Sequence, residues 1–224
     1  MNAIILDTET TDKKDGEVIE LAWAEWDILT CGMSEPVVTK YKPAKPTTWG
    51  ALAVHHILPE ELEGCFPSSS APEDVPQHAA YWIGHNIDFD WKALGSPPQV
   101  KRICTLALAR AHFPDLDSHT QSALMYALFG ATPATRDRLK GAHSAGEDIK
   151  MCADILQVIV IRLGVKNLSQ LWEASEDARV PKIMTFGKFA GQPISAVDRG
   201  YSNWYRRQPD PDPYLLEAFK REGI

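Results

Sequence analysis

The order of the periodic segments constrains the fold of this 224-residue chain more than any other feature of its sequence. Apolar, branched runs that suit strands come first, at residues 3–7, 18–26 and 36–41, and a shorter run follows at 81–84. Helical periodicity dominates later, at 102–111, at 122–129 and, as one long amphipathic helix, at 143–163. Strands followed by mixed elements and then by helices predict an α/β fold, a mixed sheet flanked by helices.

Shorter helical segments are predicted in the middle of the chain, at 51–56, 59–62 and 88–94. The strand at 81–84 leads into the last of these through His85 and Asn86. Ligands often bind where a strand of an α/β sheet ends and a helix begins. This junction is therefore a candidate site.

A polar break at residues 174–181 divides the chain into a predicted main domain at 1–173, a linker and a small C-terminal α+β unit at 182–224. Within that unit, residues 186–191 are expected to form a tight turn between two short strands. From 179 to 208 the sequence has six basic residues, one acid and five aromatic residues. Cations interleaved with aromatics suit nucleic-acid contact, with Lys188 as a candidate. A small packed unit whose bases are merely solvated is the alternative.

The formal net charge of −7 argues against a protein that holds nucleic acid by bulk charge, because phosphate neutralisation drives such binding. Contacts must then be local or made through bound cations. The four cysteines have no paired spacing, so neither a zinc site nor disulfides are predicted. With no signal-peptide pattern and no apolar run long enough for a membrane span, we expect a cytoplasmic protein without a membrane partner.

Asp7 and Glu9 lie two residues apart at the end of the first predicted strand. Because strand side chains alternate between the two faces, both carboxylates point to one place. Like charges this close are costly unless a cation or solvent compensates them. Hard oxygen ligands suit Mg²⁺ or Mn²⁺ rather than zinc. For this pair alone, two solvated acids at a strand exit are the alternative.

A second acidic segment follows the strand at 81–84, where Phe89 is expected to face the core and Asp90 the strand ends. Capping of the next helix explains Asn86 or Asp88, but it does not explain Asp90.

A third acidic segment opens the long helix, where His143 and Asp148 lie about one and a half turns apart. Taken alone, His143 is explained as well by a surface or capping role. The three segments together carry more information than any one of them.

In this order, the three segments resemble the three motifs of the DnaQ-like (DEDD) exonuclease superfamily: Asp7-Thr8-Glu9-Thr10-Thr11, His85-Asn86-Ile87-Asp88-Phe89-Asp90 and His143-Ser144-Ala145-Gly146-Glu147-Asp148. The His-x-Ala-x-x-Asp form of the third is the mark of the DEDDh branch. Residues 53–57, Ala-Val-His-His-Ile, further resemble a segment of the bacterial exonuclease X group. The resemblance extends from residue 4 to about residue 204.

This resemblance implies a ribonuclease H-like fold and an enzyme that removes nucleoside 5′-monophosphates from DNA 3′ ends, in single strands or frayed duplexes. It implies two Mg²⁺ or Mn²⁺ ions per active site, one held by Asp7, Glu9 and Asp148 and the other by Asp7 and Asp90. His143 is then the general base that takes a proton from the attacking water. The residues implied for substrate binding are Thr8, Thr10, His55, Asn86, Phe89 and Lys188.

Two residues depart from the family pattern: Asp12 replaces a usual glycine, and Leu58 a frequent threonine. They affect turn shape and nucleotide contacts, not metal ligands. An RNA-trimming enzyme of the same superfamily stays an alternative, since sugar choice is read at the 2′-OH. A non-catalytic DNA-end binding module is a further alternative, and homodimer formation stays open.

Overall fold

A computed structural model describes residues 2–224 and shows a seven-stranded mixed sheet in this part of the chain. The strands are β1 (Ala3–Thr10), β2 (Val18–Asp27), β3 (Gly32–Met33), β4 (Val37–Lys42), β5 (Phe66–Pro67), β6 (Tyr81–Gly84) and β7 (Lys101–Cys104). Their order is β5-β4-β2-β1-β6-β7, and β3 pairs with β2. The predicted α/β sheet is confirmed.

Helices follow and flank the strands. They are α1 (Trp49–His55), α2 (Asp88–Ala93), α3 (Thr105–His112), α4 (Gln121–Phe129), α5 (Pro133–Arg138), α6 (Ala145–Leu163), α7 (Leu168–Arg179), α8 (Arg199–Tyr205) and α9 (Pro213–Arg221). Short 3-10 helices lie at Pro59–Leu62, Ser68–Asp74, Leu139–Gly141, Gly187–Phe189 and Ile194–Ala196. None of the helices within residues 2–224 is both long and apolar enough to cross a membrane.

The long helix α6 packs on β1 and β2 and fixes the centre of the fold. Its residues Ile149 and Leu156, like Ile4 of β1, are fully buried. Full burial of one such side chain stabilises the folded state by about 1.5–3 kcal/mol. The helix ends at Gly164, whose left-handed backbone (φ 65°) suits glycine. Packing of α6 therefore places its first turn, which contains Asp148, beside β1.

Three parallel strands bring their carboxyl ends to one edge of the sheet. β1 pairs in parallel with β6, and β6 with β7, and the last register pair of β1 and β6 joins Ile5 to Ile83. The part of β1 that carries Asp7 and Glu9 thus extends past the end of β6. Asp7 and Glu9 therefore lie at the same edge of the sheet as the junction after β6, as the order of the acidic segments predicts.

A second compact unit runs from Glu176 to Ile224, and the first ends at Ser175. The small unit has its own apolar core, formed by Met184, Ile194, Val197, Tyr205, Leu215, Ala218 and Phe219. Its last helix, α9, starts at the cap Asp212, whose carboxylate accepts hydrogen bonds from the Tyr214 and Leu215 backbone N–H groups. The segment expected to be a linker, 174–181, is helical as far as Arg179.

The predicted helix at 102–111 is wrong at its start. Residues Lys101–Cys104 form β7 instead, because Arg102 and Ile103 pair with Trp82 and Ile83 of β6. Pairing along the open edge of β6 outweighs the local helical preference, so α3 begins only at Thr105.

Two further predictions are corrected. The long helix starts at Ala145, since His143 has a left-handed backbone (φ 69°) and Ser144 is the N-cap. In the second unit, 186–191 does not join two short strands: it contains the 3-10 helix Gly187–Phe189, and one bridge, Ile183 to Pro193, closes the loop.

Candidate active site

Three carboxylates meet where β1 and α6 come together. Asp7 and Glu9 alternate with Thr8 on β1, and Asp148 comes from the first turn of α6. One ligand oxygen from each of the three acids lies within 4.8 Å of the others. All three side chains are partly buried. The predicted convergence of these acids is therefore present in the structure.

Asp90 lies next to this group and is held by β1. Its carboxyl is 3% exposed, and its Oδ1 accepts hydrogen bonds from the Thr8 backbone N–H (2.9 Å) and the Thr8 hydroxyl (2.7 Å). The Thr8 hydroxyl therefore positions Asp90. Asp90 is not one of the three acids within 4.8 Å of one another, but it lies near enough to raise the pKa of Asp7.

Glu20 is a fifth acid of the neighbourhood, which the three motifs do not contain. It faces Glu9 across the β1–β2 pairing and is 5% exposed. Its Oε2 accepts a hydrogen bond of 2.9 Å from the Ala145 backbone N–H, at the start of α6. Glu20 thus anchors the helix that carries Asp148. The sequence signal for Glu20 is an acid inside the apolar run of β2.

The pKa values of all four predicted acids are raised. Burial, and then repulsion by Asp148, raises the pKa of Glu9 to about 8. Burial raises the pKa of Asp90 to about 7, against the hydrogen bonds from Thr8, and that of Asp148 to about 6. The pKa of Asp7 is raised well above its ordinary value, by burial first and by Asp90 next. The site holds more negative charge than it can stabilise by itself.

Within residues 2–224, no lysine or arginine is among the groups that shift these four pKa values. Buried carboxylates without a cationic side chain are the environment in which a hard divalent cation gains most. The three oxygens within 4.8 Å match the carboxylate ligands that Mg²⁺ and Mn²⁺ take in proteins. The residues present thus fit a divalent metal ion.

His143 stands at the rim of this acid cluster. Its side chain is exposed, and its backbone N–H donates a hydrogen bond of 3.3 Å to Asp148 Oδ1. Its left-handed backbone, rather than a helical turn, sets the direction of the ring. His143 and Asp148 are together as predicted, but through a loop that precedes α6.

A cleft of about 430 Å³, here called the Phe89 cleft, reaches the cluster at Glu9. Its lining includes five predicted substrate-binding residues: Thr8, Thr10, His55, Asn86 and Phe89. His55 is 6% exposed, and its Nδ1 accepts a hydrogen bond of 2.9 Å from the Ile57 N–H. Burial lowers the pKa of His55, so its Nε2 carries the proton, and this buried atom has no partner among the described residues. Lys13, which the motifs did not single out, also lines the cleft.

A second cleft, of about 460 Å³, reaches the cluster at Asp148 and His143. We call it the Arg110 cleft; it is defined by His85, Arg110, Ser118, His119, Gln121 and His143. The two ring nitrogens of His85 lie 3.0 Å from Thr105 Oγ1 and 2.8 Å from the His119 carbonyl oxygen. The sequence did not predict this cleft, since its lining combines residues of the second and third acidic segments with residues of α3, α4 and the loops between them.

Lys188, the remaining predicted substrate residue, belongs to the second unit. Its Nζ lies 2.9 Å from Asp198 Oδ2 and 4.7 Å from the centre of the Phe189 ring. Nearby, Trp204 is 52% exposed, and its ring centre lies 5.2 Å from that of Tyr201. Lysine and aromatic side chains thus share one surface of this unit.

Solved structures of three exonucleases resemble this chain. Exonuclease X in complex with 5′ overhanging duplex DNA is 24% identical, with a TM-score of 0.58, and the match covers 77% of this chain and 99% of that one. Escherichia coli exonuclease I in complex with a dA16 oligonucleotide is 16% identical, with a TM-score of 0.61 and coverage of 82% and 46%. A 3′-exonuclease that recognises the histone mRNA stem-loop is 12% identical, with a TM-score of 0.56 and coverage of 72% and 82%.

The chain has the ribonuclease H-like fold of these DnaQ-like exonucleases. The resemblance predicted from the three motifs is thereby confirmed at the level of the fold. The chain spans less than half the length of exonuclease I. No family model and no curated protein matches its sequence.

Proposed function

We propose that this chain is a metal-dependent 3′-to-5′ exonuclease that releases nucleoside 5′-monophosphates from DNA. The observation that carries the proposal is the cluster of buried and partly buried carboxylates, without a cationic side chain, that two clefts reach. Such a site suits a phosphodiester, because a cation that neutralises the acids also neutralises the phosphate. The fold shared with exonucleases supports the same reaction class.

Asp7, Glu9 and Asp148 would hold one Mg²⁺ or Mn²⁺ ion, and Asp7 with Asp90 a second. Bound there, such ions supply positive charge for the phosphate and for the oxygens that attack and leave. Thr8 keeps Asp90 in place through its two hydrogen bonds, and Glu20 keeps Asp148 in place through α6. The protein thus fixes the ligand oxygens before the substrate arrives.

His143 would act as the general base. A ring nitrogen accepts a proton from the attacking water, whose oxygen forms a bond to the terminal phosphorus. The bond from phosphorus to the 3′ oxygen of the preceding nucleotide breaks, and that oxygen takes a proton from solvent. The exposed position of the ring lets it return its proton to solvent after each turnover.

The Phe89 cleft would hold the terminal nucleotide. Phe89 offers an aromatic face for the base, and the His55 Nε2–H is a buried donor that a sugar or base oxygen can use. Thr10 and Asn86 border the same space, and Lys13 places a cation at its edge.

The second unit would add further contacts to the nucleic acid. Lys188, Arg199 and Arg207 supply positive charge there, and the exposed Trp204 and Phe186 supply stacking surface. Both kinds of nucleic acid are represented among the similar structures: a dA16 oligonucleotide with exonuclease I and a histone mRNA stem-loop with the 3′-exonuclease. We favour DNA because of the sequence resemblance of the C-terminal segment to the exonuclease X group.

The test is degradation of a 5′-labelled oligonucleotide, prepared once as DNA and once as RNA, with Mg²⁺, with Mn²⁺ and with EDTA. We expect a ladder that shortens from the 3′ end on DNA in either metal and none in EDTA. Faster RNA cleavage would favour the RNA-trimming alternative. Binding without cleavage in both metals would favour the non-catalytic end-binding module.

A further inference from the structure

Apart from Asp148 and His143, the residues that line the Arg110 cleft have no part in the chemistry described so far. It shares no lining residue with the Phe89 cleft, which reaches the cluster at Glu9. Because an oxygen of Glu9 and one of Asp148 lie within 4.8 Å, both clefts lead to one point. A phosphodiester bound at that point has one nucleoside on each side. If the Phe89 cleft binds the terminal nucleoside, the Arg110 cleft is available to the nucleoside on the other side of the phosphodiester.

The Arg110 cleft has the size and the chemistry of a nucleotide site. Its volume of about 460 Å³ lies within the range of small-molecule pockets. Hydroxyl groups of Ser118, Thr120 and Ser122 line it, Leu106 adds an apolar surface, and Gln121 presents an amide whose Oε1 is buried without a partner in the described chain.

Arg110 is the cation of this cleft. It is exposed, and no ion pair of the described residues involves it, whereas Arg138 and Arg221 each pair with an aspartate. The acids that line the cleft are Asp117 at its exposed rim and Asp148 at the cluster. An unpaired guanidinium presents donors in the geometry that a phosphate accepts.

His85 holds the cleft in shape. Its ring bridges the end of β6 to Thr105 of α3 and to the His119 carbonyl. Burial lowers its pKa to about 4, so the ring is neutral and keeps both contacts at neutral pH. The loop of His119 and the helix of Arg110 are therefore fixed relative to the acid cluster.

We propose that the Arg110 cleft binds the nucleotide next to the terminal one, and that Arg110 contacts the 5′-phosphate of this penultimate nucleotide. The inference rests on the proposed exonuclease function. It assigns a substrate contact two phosphates from the 3′ end, on a helix that carries no acidic motif. Arg110 then acts in substrate binding, and the acids and His143 in the reaction.

The test uses two DNA dinucleotides that differ in one group: d(pTpT), which has the 5′-phosphate, and d(TpT), which lacks it. Each is measured with Mn²⁺ as a substrate and as an inhibitor of degradation of a longer DNA. A charge-assisted hydrogen bond is worth about tenfold to a hundredfold in binding, so the wild-type protein should prefer d(pTpT) by about that factor. Arg110→Gln should remove the preference and leave d(TpT) unchanged, while Arg110→Lys should keep part of it.

Arg136→Gln is the matched control, since Arg136 is an exposed arginine of α5 outside both clefts. It should keep the wild-type preference. No preference in the wild-type protein, a preference that survives in Arg110→Gln, or equal losses on both dinucleotides would overturn the inference. A wild-type protein that degrades longer DNA and still fails these tests keeps the proposed function and loses only the penultimate-nucleotide site. One that degrades no nucleic acid with either metal loses both.

Discussion

The acids of the two compact units have different surroundings. In the second unit, Asp198 and Glu217 lie beside cations of the same unit: Asp198 lies 2.9 Å from Lys188, and Glu217 lies 3.2 Å from Lys220 and 3.3 Å from Arg221. In the first unit the acids of the candidate site are buried or partly buried, and burial, followed by repulsion from the neighbouring acids, raises the pKa values of Asp7 and Glu9.

This difference in the surroundings of the acids distinguishes the candidate site better than the local density of charged residues does. Exposed ion pairs are screened by water and contribute little to the free energy of unfolding. The charges of the second unit therefore cost little stability. Buried like charges raise one another's pKa, and the folded protein keeps them only where packing forces it to. Buried acids without a neighbouring lysine or arginine therefore mark a place where the protein's side chains supply no cation.

The largest effect is expected from removing one ligand charge. Asp7→Asn should abolish turnover, a loss of roughly 10⁴-fold or more, because the protein would no longer hold the proposed ion that stabilises the transition-state charge. Melting temperature in EDTA should stay level or rise, since one of the repelling acids is gone. Rates are measured on labelled DNA with Mg²⁺. Asp15→Asn, in the exposed β1–β2 turn, is the control and should keep the wild-type rate.

A smaller loss is expected from the base. His143→Asn should lower the rate by about 10²–10⁴-fold, the range for a general base, and asparagine tolerates the left-handed backbone of this position. Stabilisation by Mn²⁺ should be unchanged, because the ligand acids remain. Raising the pH should recover part of the rate. A variant with the wild-type rate and pH profile would remove His143 from the mechanism.

The third effect concerns stability and its dependence on pH. A carboxyl with a raised pKa binds its proton more tightly when the protein is folded, so the metal-free protein loses stability as pH rises through that pKa. For Glu9 the window runs from its ordinary value of 4.5 to about 8. Compared with Glu9→Gln in EDTA, the wild-type protein should lose roughly 5 °C more of melting temperature between pH 5 and pH 8.

Mn²⁺ should restore this stability at pH 8 and have little effect at pH 5, where the acids hold their protons. Calorimetry of both proteins at the two pH values, with and without metal, makes the comparison. Parallel pH curves for the wild-type protein and Glu9→Gln would contradict the raised pKa.

The smallest effect is expected in the second unit. Lys188→Ala breaks an exposed pair, so the melting temperature should change by no more than about 2 °C. If Lys188 contacts a phosphate, the slope of log affinity against log salt should fall by about 1. Binding of a short DNA is titrated in Ca²⁺. Lys220→Ala, which breaks an exposed pair on α9, is the control; equal slopes for both variants would make Lys188 structural only.

The sequence predicted the parts of the site that follow from local pattern. Alternation along β1 places Asp7 and Glu9 on one face. Helical periodicity predicted the long helix that carries Asp148, but with a start at His143, two residues before the start of α6. The strand at Lys101–Cys104 could not be predicted, because its pairing with β6 is a tertiary contact that overrides local preference.

Long-range contacts also hid parts of the site. Glu20 acts through a hydrogen bond to a residue 125 positions away, and the Arg110 cleft joins segments that are far apart in the chain. The left-handed backbone of His143 was missed for a different reason, since it depends on how the loop before α6 enters the helix. The spacing of residues within a motif carries no information on long-range contacts or on the backbone conformation of a loop.

The contact between Glu20 and the start of α6 has a consequence for folding. Its two ends are 125 residues apart, so it forms only after β1, β2 and α6 have come together. A chain with a complete sheet but an undocked α6 would have Asp7 and Glu9 without Asp148. On the proposed function, tight binding of a divalent ion would therefore report that α6 has docked on β1, and added metal should slow unfolding more than it speeds folding.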